Sequence, residues 1–226
     1  MINVDTLYSR VKDLARKDKG GYLDPDEFNR HMVDSQTLLY EWYAQNLEKN
    51  QDVPDAMRTF IERTNLLVNS SGLVTLPSDF EHTLRVNWRK VTNVPGGEPV
   101  VAKVPALPIA RSEINGILIN TVRQPNITKN RVFYSLEDGY LHVWPEEAGS
   151  VELEYLRLPV TPFRDTTLDA TNDEYNYDAS GSTQLEWESS QQPNFVDLLL
   201  FHYGLPTRQT EIIQWVGAKK QIVQQL

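Results

Sequence analysis

Residues 20 to 32 read GGYLDPDEFNRHM, and the acids Asp24, Asp26 and Glu27 beside a glycine pair are the residue types of an oxygen-ligand loop for a divalent cation. A calcium loop of the EF-hand kind needs oxygen donors at positions 1, 3, 5, 7, 9 and 12 with glycine at 6. Counted from Asp24, position 5 is Phe28 and position 6 is Asn29, so the pattern fails at both places and no metal is expected there. The same residues fit the start of a helix. Asp24 stands at the N-cap, Pro25 at the first helical position where its missing N–H costs nothing, and Glu27 at the third, from which it can reach back to the cap. Asp26 and Glu27 also suit the positive end of the helix dipole.

The remaining chemistry-bearing residues give no recognisable constellation. The four histidines, His31, His82, His142 and His202, are scattered, and none forms a zincin pair on one helix. His142 and His202 each lie in an apolar stretch and read as hydrogen-bonded core or interface residues rather than bases. The nearest approach to a nucleophile elbow is SGS at 180 to 182, which lies in an acidic connector instead of a strand-to-helix turn. Neither glycine-rich phosphate loop is present, and the absence of cysteine excludes thiolate zinc sites, iron–sulfur clusters and disulfides together. Five carboxylates between Asp165 and Asp178 could supply a glycosidase acid and base. That segment, however, lacks the apolar residues that would push two carboxyl pKa values apart. The aromatic pair Trp42 and Tyr43 reads as core, while Tyr175 and Tyr177 read as subunit-contact residues. No catalytic residue, cofactor or metal is therefore expected.

The 226 residues, 40% of them hydrophobic, suffice for one large domain or two small ones. The first 19 residues are charged throughout, unlike a signal peptide, and no apolar run approaches the ~20 residues of a membrane helix; a soluble chain is expected. The net charge of −9 is concentrated. Residues 159–190 hold one basic against seven acidic residues. Tight nucleic-acid binding draws on clustered Lys and Arg, so an acidic chain is a poor candidate for it. A conduit through which DNA slides would tolerate that charge.

The elements that must position these residues begin with a helix carrying Val4, Leu7, Val11 and Leu14 at helical spacing and ending at Gly20 and Gly21, which suit a C-terminal turn. A long helix follows, with Phe28, Met32, Leu39, Tyr43 and Leu47 in one stripe. A third is expected after Asp52 through Met57, Phe60, Ile61 and Leu67. From Gly72 the period becomes two: GLVTLPSDF reads as a short strand, and LRVNWRK as a strand with Leu84, Val86 and Trp88 on one face. Residues 93 to 108 read as a proline-rich irregular or edge-strand connector, and SEINGILINTV as a short helix with Ser112 as its cap. Residues 131 to 158 predict a three-strand antiparallel meander with a tight turn at Asp138–Gly139. Residues 159 to 182 show little periodicity. A short strand TQLEW, a helix PNFVDLLLFHY buried on most sides, and an amphipathic helix from Ile212 to Leu226 complete the chain. The fold class expected is α+β: an N-terminal helical hairpin or bundle (1–68), a central antiparallel sheet, sandwich or barrel-like (69–158), an acidic connector or arm (159–190), and C-terminal helices (191–226) packing with the N-terminal ones.

The order of motifs carries more than the composition does. GYLDPDEFN ahead of a long helix resembles the N-terminal signature of virion structural proteins from tailed bacteriophages, especially short-tailed phages including the crAss-like group. LPSDF, WPE, VELEYLRLPVTP and STQLEWESSQQPNFVDLLLFHYG are similar, in that order, to their neck and tail ring proteins, and Tyr155, Arg157, Pro159 and Pro162 match a Y-x-R-x-P-x-x-P run. The acidic length of 163 to 182 departs from the pattern and leaves open the ring or layer involved. The resemblance implies a subunit of a head-to-tail connector, neck adaptor or tail-tube ring in the virion, made in the host cytoplasm. Its partners would be its own copies, commonly about twelve in a closed cyclic ring, the portal protein and adjacent ring proteins. Genome DNA would pass through the lumen without specific binding, and neither membrane nor cofactor is implied. No catalytic residues carry over. Subunit contacts are expected at Asp165, Asp169, Tyr175, Tyr177 and Asp178, on an arm that gains order when a neighbour receives it. The competing class is a host-recognition or carbohydrate-binding module on a tail appendage.

Overall fold

Val4, Leu7 and Val11 recur on one face of the first helix, α1 (Val4–Lys19), and all three are fully buried. Asn3 closes its start: its Oδ1 accepts from Thr6 N at 2.8 Å. The computed structural model describes residues 1–19, 23–50, 55–92, 100–137, 139–169 and 174–204. The glycine pair expected to end α1, Asp52 with the residues around it, the side chain of Leu47, residues 93–99, Asp138 and the helix expected from Ile212 lie outside the described residues.

The second helix, α2 (Pro25–Asn50), buries Phe28, Met32 and Leu39 completely. Its beginning follows the cap chemistry in part. Asp24 Oδ1 accepts from Asp26 N at 2.9 Å, and the Asp24 carbonyl takes the first helical bond from Phe28 N. Glu27 lies 3.5 Å from His31 Nε2, one turn further along.

The expected third helix is absent. Asp55–Phe60 is a short 3-10 turn, and Ile61–Val68 is a strand, β1. Thr64, Leu66 and Val68 turn inward while Leu67 is 83% exposed, the alternation of a strand with one wet face. Partnership with the strand β7 decides the outcome: β1 pairs with it antiparallel from Ile61↔Leu156 to Val68↔Gly149. The helical region therefore stops short of residue 61.

By its contacts the chain divides into two units, Met1–Thr59 with Pro159 onward, and Phe60–Leu158. The second unit is a seven-stranded, mostly antiparallel, nearly closed barrel-like sheet. Its strands are β1, β2 (Leu73–Thr75), β3 (Phe80–Thr92), β4 (Val100–Pro108), β5 (Val132–Glu137), β6 (Tyr140–Trp144) and β7 (Gly149–Arg157), in the order β1-β7-β3-β4-β5-β6-β2. The mixed α+β class is as expected, with helices towards both ends and the sheet between them.

Two details differ from the sequence reading. The proline-rich stretch supplies a full strand, β4, which pairs with β3 antiparallel and with β5 in parallel through Ala106↔Val132 to Pro108↔Tyr134. A parallel pair needs a long crossover, and the short helix α3 (Arg111–Ile119) lies within it. Ala110, not Ser112, is its N-cap. The expected three-strand meander is also broken: β5 and β6 form the hairpin, but β7 leaves to lie between β1 and β3. A strand with Val151, Leu153, Tyr155 and Leu156 all buried needs neighbours on both edges, and that slot provides them. Val86, Trp88, Val104, Val132, Leu141, Val143, Val151 and Leu153 form the sheet's core.

In the first unit, α1 and α2 are joined at the far end of the chain by α4 (Gln192–His202), which buries Phe195, Val196, Leu198, Leu199 and Leu200 and packs on both. Of the expected TQLEW strand, Thr183 ends a longer strand and the rest contributes an isolated bridge, Leu185 to Ile2. Residues 159 to 182 contain an antiparallel hairpin rather than a structureless connector: β8 (Phe163–Asp169) and β9 (Glu174–Thr183).

Two positive-φ glycines separate strain from crowding. Gly72 (φ 73) lies where a Cβ would run into the Val143 carbonyl, whereas Gly139 (φ 84) faces open space. Gly139→Ala is expected to cost ~1 kcal/mol, for backbone strain alone, and Gly72→Ala ~2–4 kcal/mol. Urea unfolding of both variants checks the order. A second expectation concerns alkaline pH. Burial, then the hydrogen bond from Tyr155 to Asp79 Oδ1 at 3.1 Å, push the Tyr155 phenol up to about 12 from 10.0. This folded value exceeds the unfolded one, so its contribution is intact below pH ~10 and is lost as pH rises towards about 12. Tyr155→Phe should unfold with a shallower alkaline loss than the wild type; equal slopes would refute the assignment.

Candidate functional site

Arg164 is the residue around which the acidic arm is built. It lies on β8, is only 5% exposed, and is held from three directions. Its Nε and Nη2 donate to Asp5 Oδ1 on α1, at 3.0 and 2.7 Å. Its backbone exchanges two hydrogen bonds with the Asn29 side chain on α2, at 2.9 and 3.0 Å. Its guanidinium stacks over the Tyr8 ring at 4.0 Å and lies 5.4 Å from that of Tyr177. A buried guanidinium needs this set of partners, because an unpaired one is costly. The base of the β8–β9 hairpin is thereby fixed to both N-terminal helices.

The expected contact residues divide along this hairpin. Asp165 and Asp178 are partners across it, but both serve its geometry. Asp165 packs against Gly181, where a Cβ would meet its carboxylate, and its Oδ1 accepts from Thr166 N. Asp178 Oδ1 accepts from Ser180 N and Oγ, at 2.8 and 2.6 Å. These bonds from Ser180 lower the Asp178 carboxyl from its ordinary range, the opposite of what a general acid needs. Tyr177 is anchored by Gln184 Nε2 at 2.9 Å. Tyr175 is different: it is 50% exposed and faces Leu168, 55% exposed, as its cross-strand partner. The side chain of Asp169 and residues 170–173 lie outside the described residues.

The sheet unit carries a polar group that motif reading missed. His142 on β6 stacks on Trp144 at 4.0 Å, with Nδ1 3.5 Å from Glu137 and Nε2 3.2 Å from Glu146. Ser135 Oγ donates to Glu137 at 3.1 Å, and Arg111 pairs with the same carboxylate at 3.0 Å. The order here is hydroxyl, carboxylate, imidazole. A hydrolase triad places the imidazole between the other two, so this chain of contacts does not activate the serine. A cleft of about 360 Å³ beside it is lined by His82, Thr83, Tyr134 and Ser135, and a smaller one of about 240 Å³ by Leu76, Phe80, Leu136 and Tyr140. On the same sheet Glu152 accepts from Lys103 at 2.6 Å and from Asn87 at 3.4 Å; the Lys103 bond holds its carboxyl below the usual range.

Two histidines that are distant in sequence also meet. His31 and His202 stack with ring centroids 4.9 Å apart, and Asp34 lies beside them. The signal available in the sequence was only that both histidines follow a helical apolar pattern, which does not say that their helices are neighbours.

No protein-family model matches this chain, and neither does any curated protein. Among the described residues no helix is long and apolar enough to cross a membrane.

The Arg164 anchor makes an asymmetric prediction. Asp5→Ala leaves a buried guanidinium without its carboxylate and should cost ~3 kcal/mol or more. Arg164→Met keeps contact with Tyr8 and leaves a half-buried carboxylate that water can reach, so it should cost about half as much. The double variant should lose less than the sum. Denaturant unfolding of the four proteins reads this out, and the reverse ranking would exclude the anchor.

Proposed function

We propose that this protein is a virion structural subunit of a head-to-tail connector ring, a neck adaptor or tail-tube ring, that joins its own copies side by side around a DNA channel. The observation that carries the reading is the β8–β9 hairpin. It is held at its base by Arg164 and presents the exposed apolar pair Leu168 and Tyr175 further out. A ring built by cyclic repetition uses heterologous contacts, in which one patch meets a different patch on the next copy. The hairpin supplies one patch. The sheet unit supplies a different one in the groove of Leu76, Phe80, Leu136 and Tyr140, of which Leu136 and Tyr140 are themselves about half exposed.

The resemblance in motif order supports the same reading, as does the charge. With a net −9 the chain has little to offer phosphate oxygens, which suits a wall that DNA passes without adhering. The polar clusters described above are tied up in local structure, and a structural role uses them as they stand.

Native mass spectrometry and cross-linking of the full chain, alone and with the portal protein of the same genome, test the assignment. The expected result is a closed ring of many copies, about twelve, which the double substitution Leu168→Glu and Tyr175→Glu converts to monomer without changing the far-ultraviolet circular dichroism. Three copies per assembly would favour a tail-appendage module, and an assembly indifferent to the double substitution would remove the hairpin from the interface.

A further inference from the structure

The pairing of His31 with His202 has features that neither core packing nor the ring reading requires. His31 and Asp34 are three residues apart on α2 and so share a face. His202 is the last residue of α4, which packs on that helix. One ligand atom from each of the three lies within 4.8 Å of the others. Glu27 Oε1 stands 3.5 Å from His31 Nε2, the position of a carboxylate that fixes the tautomer of a ligating imidazole. Among the described residues, the other nitrogen of that ring, Nδ1, is buried without a hydrogen-bond partner, as is the phenol oxygen of Tyr203, whose ring meets His31 edge-on at 5.0 Å. Asp34 is exposed, so the group opens to solvent on its side.

We propose that His31, Asp34 and His202 bind one divalent transition-metal ion of the zinc class. Two imidazoles with one carboxylate select zinc, cobalt or nickel over calcium and magnesium, which take sets of oxygen ligands. Bonds of ~2.0–2.2 Å place tetrahedral ligand atoms roughly 3.3 Å apart. The three side chains therefore draw together by about 1.5 Å at most, with one stacked ring rotating so that its lone pair points at the ion. A water completes the shell on the open side of Asp34. The bound ion would clip the end of α4 to the second turn of α2, so it acts on the stability of the helical unit.

The test uses the full chain without an affinity tag. Zn²⁺ titration by calorimetry should give one site per chain, Co²⁺ should produce the visible bands of a tetrahedral centre, and Zn²⁺ should raise the thermal midpoint by mass action. His31→Phe retains the ring stack and Asp34→Asn lies at the surface; each should weaken Zn²⁺ about tenfold or more and lower the rise in midpoint to match. Should His31→Phe fail to fold, Asp34→Asn decides alone. Absence of Zn²⁺ binding in the wild type, binding unchanged by these substitutions, or Ca²⁺ bound equally well at the same stoichiometry would each overturn the proposal.

Discussion

The helical unit depends on how one buried positive charge is held, through Nε and Nη2 of Arg164. Arg164 sits on a strand whose sequence, FRDTTLD, has little to bury, yet it is among the least exposed charged side chains described. Its carboxylate comes from α1, its backbone partner from α2, and its aromatic faces from α1 and β9. Removing a guanidinium from water is repaid only when geometry and partners are both good. The position of α1 against α2 and the seat of the hairpin on them are therefore set by the same group. Hydrophobic burial of Phe28, Met32, Leu39 and the α4 leucines supplies the larger driving force, but it is not directional. The charge supplies the register.

The sheet unit solves a different problem, that of edges. An open seven-stranded sheet would present two rows of unpaired backbone groups. Here the order β1-β7-β3-β4-β5-β6-β2 curls until, among the described residues, the short β2 and the polar-faced β1 form the edges, and these two approach each other. Gly72 fits the tight passage beside β6 because a side chain there would meet the Val143 carbonyl. Trp88 fills the space over Gly149 in the same way.

Much of this was legible in the sequence, and the rest was hidden for physical reasons. The helical stripes of α1 and α2, the cap at Asp24, the alternation in β3 and the β5–β6 hairpin are local signals, set by residues within a few positions of one another. The strand at 61–68 was misread because Phe60, Ile61 and Leu67 also fit a helical spacing, and only pairing with β7 decides between the two. The β8–β9 hairpin escaped because its few apolar residues show no regular alternation and its most informative residue is a buried arginine, which no hydrophobic pattern reports. The candidate sites follow the same rule. Asp165 and Asp178 were visible as acids, but their use in turn and bulge geometry was not. The meeting of His31 with His202 depends on which helices pack together, and one chain read along its length does not contain that information.

The sheet unit lies between two parts of the helical unit in the chain, and this has a consequence for biosynthesis. Ile61 and Leu156 are paired neighbours, so the inserted segment begins and ends at one spot. It can complete its own fold as soon as β7 has left the ribosome. The helices that were made first must instead wait, with the apolar faces of α1 and α2 uncovered, until α4 emerges to cover them. Synthesis order and folding order are thus inverted for α1 and α2, whose exposure during translation lasts for the whole length of the insert.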